Sequence, residues 1–131
     1  MLAAASFACA TQTPLETPDT VEVEPGTVFT LRVGQEAAVG DSLRIRLVGV
    51  GDDSRCQRDV VCVWAGDARV RLLINLAGAP EREVELHTSL DPRSTAVGRY
   101  MLSLRALLPE PRSFGAIRPE AYTAALLLAP D

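Results

Sequence analysis

Asp52-Asp53-Ser54-Arg55-Cys56-Gln57-Arg58-Asp59-Val60-Val61-Cys62-Val63-Trp64-Ala65-Gly66-Asp67 is the stretch on which the reading of this chain turns. It holds two of the three cysteines and the single tryptophan. A polar, charged run passes through a short Cys-x5-Cys loop into an apolar run that reads as a strand. Within residues 60–64 the side chains alternate, so Val60, Cys62 and Trp64 share one face while Val61 and Val63 take the other. With that first face turned inward, the indole covers a Cys56–Cys62 bridge, as tryptophan covers a disulfide in sandwich domains. Trp64 is then expected to be buried, and its truncation to cost about 3–5 kcal/mol. A bridge closing so short a loop contributes on the order of 2–3 kcal/mol in the chain-entropy view. The spacing is not that of a Cys-x-x-Cys redox pair. The bridge has two uses open to it: pinning a corner, or stiffening a presented loop made by Asp52, Asp53, Ser54, Arg55, Arg58 and Asp59 for a partner.

Outward from this corner the chain alternates with period two. Phe29, Leu31 and Val33 are interleaved with Thr30 and Arg32; Leu43, Ile45 and Leu47 with Arg44 and Arg46. Ala68, Val70, Leu72, Ile74 and Leu76 are interleaved with Arg69, Arg71 and Asn75; Val84 and Leu86 with Glu83, Glu85 and His87. Such runs are half-buried strands with one wet face. Residues 60–64, 100–108 and 122–128 are further candidates. Residues 100–108 also suit a helix, and the Pro109-Glu110-Pro111 ending and the neighbouring pattern favour a strand. Turn signals fall between the runs, at Gly40-Asp41, Gly51-Asp52, Gly78-Ala79-Pro80 and Asp91-Pro92. The expectation is an all-β fold: an antiparallel, immunoglobulin-like β-sandwich or a small barrel of about seven strands. With the turn centred near Gly78, the hairpin register sets Leu72 opposite Val84 and Val70 opposite Leu86 on the core face. Arg71 then faces Glu85, and Arg69 faces His87, on the wet face.

The chain has 131 residues, 47% of them hydrophobic, which suits one domain with a sizeable core. Residues 1–10 are small and apolar and read as the remnant of a signal peptide. Two processing routes are open: Ser6-Phe7-Ala8-Cys9 as a lipobox with Cys9 lipidated, or Ala8-Cys9-Ala10 as a cleavage site. Either takes Cys9 out of the fold and leaves Cys56 and Cys62 to pair, as suits an exported protein. Residues 11–26, rich in Pro, Thr and Glu, read as a flexible tether, and 27–131 as a single β-domain. No apolar run is long enough to span a bilayer, so membrane contact is expected only through a lipid on Cys9. All 13 basic residues are arginine, which fits a GC-rich bacterial genome. The net charge of −4 argues against a general nucleic-acid binder.

Asp53-Ser54-Arg55-Cys56, Val60, Cys62, Trp64 and Gly66 together resemble a segment of small exported bacterial proteins, many of them lipoproteins. That segment runs Asp-Ser-Arg-Cys-Pro-x-x-Val-x-Cys-x-Trp-x-Gly; Gln57 stands here in place of its proline. Val33-Gly34-Gln35-Glu36-Ala37 and Tyr122 are similar as well. The resemblance implies an exported β-domain and carries no assigned activity; the N-terminal reading places the protein in the periplasm, on the outer membrane as a lipoprotein, or outside the cell as a secreted protein.

Chemistry-bearing constellations are sparse. His87 is the single histidine and lies close to Ser89 and Asp91, which are triad residue types without triad geometry. An exposed strand-end histidine is the simpler expectation. One histidine and two paired cysteines do not make a zinc or copper site. Asp52, Asp53, Asp59 and Asp67 have the oxygen chemistry calcium takes, without the spacing of an EF-hand loop. The arginines of the wet faces (Arg32, Arg44, Arg46, Arg69, Arg71, Arg105) form either a basic stripe or cross-strand ion pairs. No cofactor is called for. The sequence therefore points to a monomeric, non-enzymatic binding or accessory module of the bacterial envelope whose partner is an envelope protein or a glycan. The alternatives are a hydrolase-type enzyme using His87 with Ser89 or Asp91, and a purely structural lipoprotein.

Overall fold

A computed structural model describes residues 19–112 and 115–130. Cys9, with the signal and lipidation readings attached to it, lies outside the described residues. Among them the chain forms nine strands: β1 (Thr20–Glu22), β2 (Val28–Arg32), β3 (Glu36–Val39), β4 (Leu43–Gly51), β5 (Arg69–Leu76), β6 (Arg82–His87), β7 (Ser94–Val97), β8 (Tyr100–Leu108) and β9 (Thr123–Pro130). A single 3-10 turn, Pro119–Ala121, precedes β9. The strands make two open sheets, one in the order β1-β3-β4-β5-β6 and one in the order β2-β9-β8-β7. All pairings are antiparallel except β1 with β3. The fold is thus the all-β sandwich of the two architectures expected, with nine strands instead of about seven and no closed barrel.

The alternating residues build the core. Leu43, Ile45 and Leu47 of β4, Val70, Leu72 and Ile74 of β5, and Leu86 of β6 line one inner face. Leu31, Leu102, Leu104, Leu107, Ala124, Leu126 and Leu128 line the other. Period-two burial of this kind leaves one face of each strand wet, as in sandwiches. Residues 100–108 are strand, not helix, because β9 pairs with them along their length.

The β5–β6 register agrees with the sequence reading at every position: Leu72 opposite Val84, Val70 opposite Leu86, Arg71 opposite Glu85 and Arg69 opposite His87. The charges, however, pair along the diagonal. Arg71 reaches Glu83 at 3.0 Å and Arg69 reaches Glu85 at 3.8 Å, across positions two residues apart on the same face. Arg69 also meets Asp52, and Arg44 and Arg46 both approach Glu36 at 3.7 Å. Most of the arginine stripe is therefore an ion-paired surface. Arg32 and Arg105 form no ion pair among the described residues.

Two sequence readings need correction. Thr20–Glu22, inside the stretch read as a tether, forms β1 and pairs with residues 36–38 of β3. Residues 60–64 form no strand, and Trp64 is 82% exposed. The chain leaves the sheet at Gly51 and returns at Arg69, so nothing overlies residues 60–64 and neither of their faces becomes an inner one. β8 supplies the feature that shapes the rest of this end. β7 pairs with β8 only over Tyr100 to Ser103, while β8 runs on to Leu108 with β9 alone beside it. A bulge at Arg105 shifts the register between Leu104 and Ala106, which bends the strand and re-aims side chains.

Candidate functional site

The excursion between β4 and β5 has a base, a staple and a tip. Extended backbone at residues 53–55 sends Asp53 and Arg55 to one side and Ser54 to the other. On Ser54's side the chain meets its own return. Ser54 N–H donates to Asp67 C=O at 2.7 Å, the Ser54 hydroxyl donates to the same carbonyl at 2.9 Å, and Asp67 N–H donates back to Ser54 Oγ at 3.1 Å. Cys56 N–H donates to Ala65 C=O at 2.8 Å. Gly66 lies between these rungs at φ +71°, and a Cβ there would come within 1.8 Å of Ser54 O. A glycine is required on both counts.

On the other side, Arg55 and Asp53 bolt the two sheets together. Arg55 Nε and Nη2 donate to the two oxygens of Asp53, each at 2.8 Å. Arg55 Nη1 donates to Leu107 C=O at 2.7 Å and Nη2 to Pro109 C=O at 3.0 Å, at the far end of β8. Tyr122 O–H, just ahead of β9, donates to Asp53 Oδ2 at 2.8 Å. Four guanidinium hydrogen bonds in a fixed fork are what arginine does and lysine cannot. Burial works to raise the Asp53 carboxyl, but hydrogen bonds from Arg55 and Tyr122 outweigh it and hold the group below the usual carboxylate range. Burial, reinforced by the Asp53 carboxylate, pushes the Tyr122 hydroxyl up to about 12. Of the candidate loop residues, Asp53 and Arg55 thus face the second sheet, and Ser54, itself exposed, ties the loop to its return strand at Asp67. Asp52 pairs with Arg69, and Arg58 pairs with Glu110.

Asp67 and His87 form a second fixed point. His87 Nδ1 lies 2.6 Å from Asp67 Oδ2, and Asp67 Oδ1 accepts from the backbone N–H groups of Ser89 at 2.9 Å and Leu90 at 3.1 Å. Burial disfavours the Asp67 charge, yet His87 and these two amides hold the carboxyl below its ordinary value. The histidine expected at an exposed strand end is half-buried in this contact. Its carboxylate partner is Asp67, not Asp91, and Ser89 joins the network through its backbone, not its hydroxyl. The arrangement caps the turn after β6.

Cys56 and Cys62 are bridged. Beyond the bridge the tip carries Val60, Val61, Val63 and Trp64, four of the seven large apolar side chains left exposed among the described residues. Val61 is fully exposed and Val63 is 91% exposed. At the foot of the tip an open cleft of about 490 Å³ runs along the edge of β8 that no strand pairs among the described residues. Arg55, Cys56, Arg58 and Ala65 wall it on the loop side, Thr88 and Ser89 on the β6 side, and Leu104 to Leu108 form its floor. Leu108, on that floor, is another of the exposed apolar residues. Nothing in the sequence distinguishes Trp64 as a surface residue. The inward roles of Asp53 and Arg55 have a faint signal in their spacing of two within an extended segment. In comparisons with known proteins, no family model, no curated protein and no solved structure matches this chain.

Proposed function

We propose that the chain is an exported, non-enzymatic binding or accessory module of the bacterial envelope, which takes its partner on the surface formed by the stapled tip and the neighbouring cleft. The observation that carries this reading is the exposure of Val61, Val63 and Trp64 on a loop whose base is fixed by part-buried polar bonds. Holding large apolar side chains in water forgoes about 25 cal/mol for each Å² left unburied. Contiguous apolar patches of this kind mark interaction sites. Tryptophan is a frequent anchor of binding energy at interfaces, and a loop already rigid in the free protein loses little freedom on association. The bridge at the foot of the tip suits an oxidising compartment outside the cytoplasm. The partner on this reading is an envelope protein or glycan. A purely structural lipoprotein gives the outward-facing tip no use.

A photo-crosslinking benzoyl-phenylalanine at position 61, irradiated in intact cells of the source bacterium, tests this. A discrete adduct at position 61, absent when the probe sits at position 71 on the ion-paired sheet face, is the expected result. No adduct at position 61, or the same adducts from both positions, refutes the reading.

A further inference from the structure

We propose, resting on that reading, that the partner is engaged as an extended polypeptide strand added to the free edge of β8 at residues 104–108, with an acidic side chain placed on Arg105. Three observations converge on that occupant. The first is the edge itself. β7 leaves β8 after Ser103, and the next backbone bond on that side is Leu104 N–H to Arg93 C=O at 2.9 Å. Beyond it the chain turns out of the sheet, since Pro92 C=O accepts from His87 N–H. The place a longer β7 would fill is the cleft. Four residues of an extended chain span about 13 Å, enough to run along residues 105–108.

The second observation is the direction of the main chain there. Leu104 N–H points to Arg93, and Leu107 C=O points to Arg55, so the polar groups of both residues face the cleft and not β9. Arg55 already serves two carbonyls of this segment, at Leu107 and Pro109, as the amides of a neighbouring strand would. An incoming strand has the Leu104 carbonyl and the Leu107 amide before it, neither bonded across the cleft among the described residues, the pairing used in strand addition.

The third is charge. The cleft is lined by Arg55, Arg58 and Arg105 against a single carboxylate, Glu110. Asp53 compensates Arg55 and Glu110 compensates Arg58, which leaves Arg105 without an ion pair among the described residues. The bulge places this residue at the floor of the cleft. Apolar side chains on an added strand have the exposed Leu108 and the neighbouring Ala106 before them.

The test pans a displayed library of random linear dodecapeptides against the folded, oxidised protein. Enriched peptides are expected to carry Asp or Glu among alternating apolar residues. Their affinity is expected to fall about tenfold or more in Arg105→Glu and less in Arg105→Gln, the scale of a hydrogen bond to a charged group. Backbone N-methylation of the peptide should abolish binding, and bound peptide should slow amide exchange at residues 104–108. Four results overturn the inference. They are an unenriched library, peptides that bind Arg105→Glu equally well, protection confined to another strand, and self-association through β8 shown by sedimentation. A fifth is association with phosphatidylglycerol–phosphatidylethanolamine vesicles accompanied by a blue shift of Trp64 and no enriched peptide, which would assign the tip to a membrane surface. If the position-61 adduct persists beside any of these, the binding reading stands and the strand mode alone fails; loss of both fails both.

Discussion

Replacing Gly66 with alanine isolates the close approach on which the loop base depends. A Cβ at this position would lie 1.8 Å from Ser54 O, 2.6 Å from Ser54 C and 2.9 Å from Arg55 Cα, all of them backbone atoms. No side-chain rotation relieves such a contact, so the backbone at Ser54 must separate from Asp67. The bonds lost are Ser54 N–H to Asp67 C=O and the two made by the Ser54 hydroxyl. Each contributes about 0.5–1.5 kcal/mol net. The left-handed backbone adds about 1–2 kcal/mol for any residue with a Cβ. The sum is about 2.5–6.5 kcal/mol, a large share of the roughly 5–15 kcal/mol typical of a domain. Gly78→Ala is the control: its φ is +85°, and a Cβ there meets nothing within 4 Å. It should cost only the conformational part, about 1–2 kcal/mol. Urea unfolding of both variants under non-reducing conditions, followed by far-ultraviolet circular dichroism, reads the difference, because Trp64 sits in solvent and reports poorly on the core. Equal losses in the two variants would refute the reasoning.

Trp64→Ala should change stability by no more than about 0.5 kcal/mol, since the side chain is exposed; acrylamide should quench the native fluorescence as freely as that of a tryptophan peptide, and a loss of several kcal/mol would place the indole in the core. Arg55→Met should destabilise by about 3–5 kcal/mol, because it strands the Asp53 carboxylate in a part-buried site, and the added change Asp53→Asn should recover part of that loss in urea titrations. Tyr122 has a folded value raised to about 12, so its contribution is full below its unfolded value near 10 and fades as pH climbs toward 12, by up to about 2–3 kcal/mol. Phenolate absorbance should show one late step, absent in Tyr122→Phe; an unchanged late step would contradict the Asp53 contact.

The parts of the fold legible in the sequence are those where one face is wet. In β5 and β6 the apolar set (Val70, Leu72, Val84, Leu86) and the charged set (Arg69, Arg71, Glu83, Glu85) cannot be exchanged without burying charge, so the register follows from the pattern. The individual ion pairs did not follow, because strand twist brings diagonal neighbours together as readily as direct ones. β1, β3 and β7 have three or four residues each, too few for alternation to register. Residues 60–64 misled for a different reason. Alternation shows which side chains share a face; it carries no information on whether a second sheet covers that face. The inter-sheet bolt was hidden by distance along the chain, since Asp53 and Tyr122 lie 69 residues apart.

The two halves of the Cys–Trp segment therefore answer to different demands. Asp53, Ser54, Arg55 and Gly66 are satisfied within the molecule: each has a hydrogen-bond set or a close approach that another residue type would break. Val61, Val63 and Trp64 are left exposed by the described residues. A corner needed only for stability would close directly from Cys56 to Ala65 with polar turn residues and lose no buried contact. Instead, part-buried hydrogen bonds and a disulfide hold an apolar tip in water near a cleft whose strand edge and Arg105 have no strand and no carboxylate against them among the described residues. The rigid base makes sense as the support of a recognition surface, since fixing the tip beforehand removes an ordering cost that binding would otherwise carry.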